Sequence, residues 1–558
     1  MSTNQIQPII KLENVELSFD EDRGNVLDGI SLSINQGEHL CILGANGSGK
    51  STLAQVIAGM MAPDSGSVYL CNNLVYSNET KAIAQSYRQA RQNIGYVFQD
   101  PQDQIIANIT ENDIAFGPEN LGLDPDEITK RVEHCLEVCS LSEYRTQDPS
   151  YLSGGTQQRV AIAGALALQP NIFVADEPCA MLDVKGRNST MALINEMSET
   201  GKTIVHITHF IEHALGADKV IVLDKGKVAL SGTPSFVFSQ ITKLGKLGLD
   251  LPFKSKLKLA LLKEELPQIT NKPKVEDSVV IKADDICFNW PYSSDMTLNH
   301  INLNVLKGEC ISIVGKTGSG KSTLAKILSA LETPNSGSLE VLGIDITNKK
   351  MRSRIRGRVG YVMQKPERQL FAETVYQDVA YGPANQRLSE HTVDYRVNTA
   401  LEMLGIKNLK DVSPFDLSDG QKRVVAIAGV LAMSPEILIL DEPTAGLDPK
   451  GRANLISLLK KLNNSGTTIV LITHSMDIAA SLSHRVCVLD KGSVEMCDIT
   501  DTVFLQKDKL EAMGLGIPTA LEWSMTHNFD LGAPLTLEEL TNQIINNNLS
   551  QEVLALNE

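Results

Sequence analysis

The chain writes one glycine-rich, phosphate-cradling pattern twice, and that repetition limits what it folds into. Gly44-Ala45-Asn46-Gly47-Ser48-Gly49-Lys50-Ser51 fits G-x-x-x-x-G-K-[ST], and Gly315-Lys316-Thr317-Gly318-Ser319-Gly320-Lys321-Ser322 fits it again. Each copy follows an apolar run, Leu40 to Leu43 or Ile311 to Val314. Each then opens a helix-forming stretch, Thr52-Leu53-Ala54 or Thr323-Leu324-Ala325. Strand, loop and helix in that order are what the pattern requires. The glycines let backbone N–H groups turn onto phosphate oxygens, and the helix N-terminus adds its dipole. The lysine supplies a point charge and the serine hydroxyl reaches a divalent cation. A chance glycine turn is a reasonable account of one copy but not of two in the same context. The reading is a chain with two nucleotide-binding α/β units.

Composition narrows the function class. The 558 residues are 42% hydrophobic and 21% charged, with a net charge of −16. That balance argues against wrapping nucleic acid, which needs clustered Lys and Arg. The start, Met1 to Gln5, has no basic segment leading into an apolar core, so no signal peptide is expected. The longest apolar candidate, Val424 to Met433, is far shorter than the ~18 residues of a membrane helix. Nine cysteines lack metal-ligand spacing. Cys135 and Cys139 share a helical face with Ile128, Val132 and Leu136, which reads as core. Without a disulfide framework, a reducing, cytosolic setting is expected.

A shift of 265 residues superposes the later landmarks: Gln99 on Gln364, Asp176 on Asp441, His209 on His474. The loop lysines Lys50 and Lys321 are instead 271 apart, so the first half carries six extra residues, placed between Tyr76 and Gln92 and read as a surface loop. The expected division is a first domain over 1–252, an exposed lysine-rich linker over 253–277 containing Pro267 and Pro273, and a second domain over 278–558. The second ends in a helical tail opened by the capping-box pattern Thr536-Leu537-Glu538-Glu539, expected to pack on its own domain.

Two continuous apolar runs end in paired acids, Ile172 to Ala175 before Asp176-Glu177 and Ile437 to Leu440 before Asp441-Glu442. Such runs fit strands buried in a parallel sheet. Their C-terminal ends lie where open α/β sheets bind ligands. Asp176 and Asp441 are the candidates to hold Mg²⁺ through water, and Glu177 and Glu442 to polarise the water that attacks a γ-phosphate. His209 and His474 end a further matched pair of strands, as candidate γ-phosphate contacts. Ahead of the acids lie Leu152-Ser153-Gly154-Gly155-Thr156-Gln157 and Leu417-Ser418-Asp419-Gly420-Gln421; after them come Leu182-Asp183 and Leu447-Asp448.

This order of loop, Gln, LSGG-type signature, Asp-Glu, Leu-Asp and His resembles the ATPase subunits of ATP-binding cassette (ABC) transporters, over essentially the whole chain and twice. The resemblance implies an α/β fold of two P-loop NTPase domains, each a mostly parallel sheet core with an antiparallel subdomain and a helical arm. It implies ATP and Mg²⁺ as cofactors, with the metal near Ser51, Gln99 and Asp176, and near Ser322, Gln364 and Asp441. It also implies two cassettes facing head to tail. One site then uses Lys50, Gln99, Glu177 and His209 with Ser418 and Gly420; the other uses Lys321, Gln364, Glu442 and His474 with Ser153 and Gly155. Asp183 and Asp448 join the nucleotide contacts.

A finer resemblance follows the glutamines. Gln99-Asp100-Pro101-Gln102-Asp103-Gln104 leads to Asp113-Ile114-Ala115-Phe116-Gly117-Pro118, and Gln364-Lys365-Pro366-Glu367-Arg368-Gln369 to Asp378-Val379-Ala380-Tyr381-Gly382-Pro383. These segments look like those of energy-coupling factor (ECF) ATPases, which drive vitamin or transition-metal ion uptake. That likeness implies a membrane-spanning coupling (T-type) subunit, a small substrate-binding (S-type) membrane subunit, and a peripheral place on the cytoplasmic face of the membrane. The alternatives are the ATPase of another importer, such as a fused-cassette sugar system, or a ribosome-associated tandem ATPase, which the acidic chain and short connector disfavour.

Two departures fall on the Lys50 site. Asp419 replaces a signature glycine, and Phe19-Asp20-Glu21 stands against Phe288-Asn289-Trp290, where the family stacks adenine on an aromatic near Trp290. Counted this way Glu21 is no partner for adenine and Phe19 reads as core. The Lys50 site is therefore expected to turn over more slowly.

Overall fold

The computed structural model describes residues 8–19, 24–179, 182, 184–262, 272–291, 296–348, 350–527, 529 and 531–555, without the side chains of Val184, Lys185, Glu367 and Asp419. Two compact units divide the chain, Met1–Pro252 and Phe253–Glu558.

In the first unit the apolar runs become a six-stranded sheet. Its order is Lys227–Gly232, Lys219–Asp224, His39–Gly44, Thr203–Ile207, Ile172–Asp176, Ile94–Val97. Only the Lys227–Gly232 edge runs antiparallel. The central strands are buried on both faces, which is why their sequences are continuous rather than alternating. A second, antiparallel sheet orders Leu27–Ile34, Ile10–Leu17, Ser65–Leu70, Asn73–Ser77 and Lys81–Ala82. Here burial alternates along Leu27–Ile34, as expected of a sheet with one wet face. Helices Thr110–Asn120, Pro125–Val138 and Gly154–Ala167 form the arm, with Cys135, Leu136 and Cys139 in its core.

The second unit repeats the plan. Its parallel core orders Val359–Val362, Ile437–Asp441, Thr468–Ile472, Cys310–Val314 and Arg485–Asp490, with Ser493–Ile499 antiparallel at the edge. Its antiparallel sheet has four strands against five in the first unit.

That difference corrects the reading of the six extra residues as a surface loop. The segment contributes the added strand Lys81–Ala82 and a helix, Ala84–Arg91, whose Tyr87 and Ala90 join the core. One residue pair three apart gives a short polar helix enough apolar contact to dock.

The exposed linker is corrected likewise. Its first ten residues form the helix Phe253–Leu262, and Leu257 and Leu261 are buried against Trp523, Leu540, Ile544 and Val553 of the second unit. The rest of the connector up to residue 271 lies outside the described residues. The tail helix Leu537–Asn546 starts at Thr536, whose side chain accepts from the Glu539 N–H, and packs in this same cluster. The Glu539 carboxylate reaches Leu535 N at 2.8 Å, one residue upstream of the reciprocal box contact.

Candidate functional site

Both phosphate loops join the C-terminal end of a central strand to a helix, Lys50–Ile57 or Lys321–Leu328. Gly49 and Gly320 cap these helices at φ 96° and 100°, a left-handed conformation that L side chains resist. A Cβ there would lie 2.7 Å from the Val26 carbonyl oxygen, or 2.8 Å from that of Thr297. Lys50 Nζ donates to the Gly44 and Ala45 carbonyls at 3.0 and 3.1 Å; Lys321 Nζ donates to those of Gly315 and Lys316, both at 2.7 Å. Each lysine is thus folded back over its own loop, with Asn46, Gly47 or Thr317, Gly318 at the turn.

The strand order brings the other predicted residues to the same edge. The strand ending near His209 lies between the loop strand and the strand ending at Asp176, and the second unit repeats this with His474 and Asp441. Asp176 is hydrogen-bonded by the Ser51 side chain and by Tyr96 Oη at 3.0 Å. Asp441 is matched by Ser322 and by Tyr361 Oη at 3.5 Å. Burial raises both aspartates above the usual carboxylate range, and these hydrogen bonds offset it only in part. The second oxygens, Asp176 Oδ1 and Asp441 Oδ1, are buried without a hydrogen-bond partner among the described residues. A buried acceptor beside a serine hydroxyl and a lysine suits a hydrated divalent cation. Thr52 and Thr323 follow the serines; Thr323 Oγ1 accepts from Trp290 Nε1 at 3.3 Å.

The glutamates sit next door in left-handed backbone, φ 46° at Glu177 and 49° at Glu442. Non-glycine residues held there mark sites of stored strain. Glu177 Oε2 accepts from His209 Nδ1 at 2.9 Å, and Glu177 Oε1 lies 3.8 Å from Lys50 Nζ. Burial pushes this carboxyl up, but the His209 hydrogen bond and the charges of His209 and Lys50 prevail and hold it below the ordinary range. Glu442 has His474 Nε2 at 3.2 Å from Oε1, without the alignment of a hydrogen bond. Burial, with the charge of Asp441 adding, lifts Glu442 to about 8 against the pull of Lys321, a hydrogen bond from the His474 backbone and the charge of Arg423.

Gln99 and Gln364 leave the ends of the sheet-edge strands Ile94–Val97 and Val359–Val362. The Gln364 carbonyl accepts from Arg423 Nη2 at 2.9 Å, while Arg423 Nη1 reaches the Glu442 carbonyl at 3.1 Å. Ser153 and Ser418 are helix N-caps, accepting from the N–H of Thr156 and Gln421; Gly154, Gly155 and Gly420 form the first turns behind them. Asp448 caps the helix Pro449–Asn464 by accepting from Gly451 N at 2.7 Å. Its counterpart Asp183, like Glu21 and the Asp419 side chain, lies outside the described residues.

One correction concerns the adenine side. Strand pairing sets Leu17 opposite Leu27 and Phe288 opposite Leu298, so Phe288 corresponds to Leu17 and Trp290 to Phe19. Phe19 is not core: it is 65% exposed. The first unit therefore has an aromatic at the Trp290 position. The 271-residue offset of the loop lysines, carried upstream, already pairs 19 with 290, and was the overlooked signal.

With this geometry in place, the comparisons with known proteins are direct. The family model described as ABC transporter matches residues 27–180 and 298–445. An ABC transporter ATP-binding protein of Bifidobacterium longum is 40% identical over 502 residues, spanning 85% of this chain and 64% of that longer relative. One from Caldanaerobacter subterraneus is 34% identical over 556 residues, 94% of this chain and 97% of its own. Among solved structures, cbiO1 of Clostridium perfringens, part of the ABC transporter complex cbiONQ, is 38% identical over 43% of this chain and 95% of its own, with a TM-score of 0.39. The chain belongs to the ABC transporter family. It is a tandem ATP-binding subunit, an ATPase whose hydrolysis is coupled to transport. No helix among the described residues is long and apolar enough to cross a membrane.

Proposed function

We propose that this chain powers an ECF-type importer of a vitamin or transition-metal ion, docking a T-type membrane subunit that works with an S-type one. The observation that carries this is an exposed apolar pair repeated on each helical arm. Phe116 (44% exposed) accompanies Ile106 (69%) in the first unit, and Tyr381 accompanies Phe371 (both 57%) in the second. Phe371 and Tyr381 meet edge to face, with ring centroids 4.8 Å apart.

Each pair is held by its motif. Asp113 Oδ1 accepts from Ile106 N at 2.7 Å and Ala107 N at 2.9 Å; Asp378 Oδ2 accepts from Phe371 N at 2.8 Å and Ala372 N at 3.0 Å. The motif glycine sets the helix position: a Cβ on Gly117 would lie 2.8 Å from Leu168 Cδ2, and one on Gly382 2.7 Å from Met433 Cγ. Ordered apolar side chains facing solvent are what a protein interface needs.

In this reading Lys50 and Lys321 bind the ATP phosphates, Mg²⁺ sits by Ser51 and Asp176 or Ser322 and Asp441, and Glu177 and Glu442 orient the attacking water. Mg²⁺ neutralises developing phosphate charge when bound. The test is copurification from native membranes with mass spectrometry of the partners. A small S-type protein supports the proposal, and its loss with Phe116→Ala plus Tyr381→Ala locates the surface. A periplasmic-type binding protein in its place would establish another importer class.

A further inference from the structure

We propose that Cys487 and Cys497 form a reversible, peroxide-responsive dithiol site in the second unit. The two residues are direct cross-strand partners in the antiparallel pair Arg485–Asp490 and Ser493–Ile499. The register is regular from Arg485 to Val488. Opposed residues in such a pair have Cα atoms roughly 4.5–5.5 Å apart, inside the ~4.4–6.8 Å window of a disulfide.

The two thiols are unequal. Cys487 is fully buried, while Cys497 is half-buried. Arg485 Nη2 donates to Cys497 Sγ at 3.1 Å, and Arg485 is itself anchored by the buried Glu309, with Nη1 3.1 Å from Oε1. The neighbouring Cys487 thiol and the Arg485 guanidinium both favour a Cys497 thiolate, although burial opposes it. Elsewhere burial alone pushes thiols up, as at Cys41 and Cys71, or dominates, as at Cys135, Cys139, Cys179 and Cys310. A partly exposed thiol held low by an arginine beside a second thiol is an arrangement that hydroperoxides can oxidise selectively.

The chemistry balances. The Cys497 thiolate attacks one oxygen of hydrogen peroxide, the O–O bond breaks, and the departing hydroxide takes up the proton that Cys497 released to solvent on ionising and leaves as water, giving a sulfenic acid. The Cys487 sulfur then gives up its proton and attacks Cys497 Sγ. The S–O bond breaks, a second water leaves, and the S–S bond forms. Two thiols have lost two electrons to one peroxide.

The pair is specific to this half. In the first unit the matched positions are Ile221 and Ser231, with Lys219 in place of Arg485. Cys487 also pairs with Ile313 on the loop strand, and the Leu489 carbonyl contacts the position a Cβ on Gly315 would occupy. A bond between the strands therefore stiffens the floor of the second phosphate loop alone.

The test is stepwise hydrogen peroxide addition to the purified full-length chain, an alkylating quench, and peptide mapping without reductant. Expected is a Cys487–Cys497 crosslink forming before any other thiol is lost, and disappearing with dithiothreitol. Cys487→Ser should stop at a dimedone-reactive Cys497, and Cys497→Ser should leave Cys487 alkylatable. Arg485→Gln should slow crosslinking about tenfold, with Arg485→Lys between it and the parent, which separates lost charge from lost folding. Direct progression of Cys497 to sulfinic acid with Cys487 still reduced, or random loss of all thiols, overturns the proposal.

Discussion

The two units hold the same glutamate in the same left-handed turn but surround it differently. Glu177 is tied to the His209 ring and stays ionised; Glu442 accepts from the His474 backbone but not from its ring, and binds a proton up to about 8. Near-identical motifs therefore present one carboxylate ready to accept a proton and one that must first lose its own. Motif identity fixes which atoms arrive at the site, and the packing around them fixes their charge.

The largest expected effect tests whether the two sites share the work. Glu177→Gln and Glu442→Gln should each cut turnover at the altered site by at least about 100-fold, the usual contribution of a positioned base. Measured as ATPase with the membrane partners present, a lower residual rate in Glu442→Gln than in Glu177→Gln would support the slower Lys50 site expected from Asp419, and the reverse order would contradict it. Equal losses would end that idea.

Next in size is acid sensitivity. The first unit stacks three histidines, His39 and His206 buried and His213 half-buried: His39 and His206 rings are 6.1 Å apart, His206 and His213 are 5.9 Å apart. The second unit has Cys310, Leu471 and Ile478 at these places. Burial lowers all three histidines, opposed at His39 by Asp218, and Arg187 and His209 help bring His213 to about 4. A histidine depressed on folding stabilises fully above the unfolded value near 6.5 and loses that stability as pH falls toward the folded value. From His213 alone the loss is about 3 kcal/mol between pH 6.5 and 4. Calorimetry should show the first unit's transition falling with acid while the second's holds. His206→Leu should shrink the difference; parallel shifts of both transitions would contradict the histidine account.

A tenfold effect is expected in the pH profile. A base with a folded value of about 8 becomes active as pH rises, so the Glu177→Gln chain, which relies on Glu442, should gain roughly tenfold between pH 7 and 9. The Glu442→Gln chain should stay flat over that range. Two flat profiles would mean nucleotide binding erases the difference. Smallest is the aromatic pair: Phe19→Ala and Trp290→Ala should each weaken nucleotide binding at their own site about fivefold, roughly 1 kcal/mol of stacking. An effect at Trp290 alone would remove Phe19 from the site.

The phosphate loops, the acid-ended strands and the histidine ends were legible because each couples a short chemical pattern to an apolar run of fixed meaning. Phe19 was not, because matching it to Phe288 by residue type ignored the register that the loop already set. The helix Phe253–Leu262 was hidden by its lysines, although Phe253, Leu257 and Leu261 recur every four residues, a helical stripe. The glutamate charges were out of reach for a different reason. A hydrogen bond made or missed by a histidine rotamer leaves no trace in a sequence that reads His in both halves.

That helix also says where the gene divides. A split after residue 277 would strand ten residues on the wrong half and strip Leu540, Ile544 and Trp523 of their cover. A split between Pro252 and Phe253 leaves each half owning the residues that close its core, which makes it the cut for expressing the two halves separately.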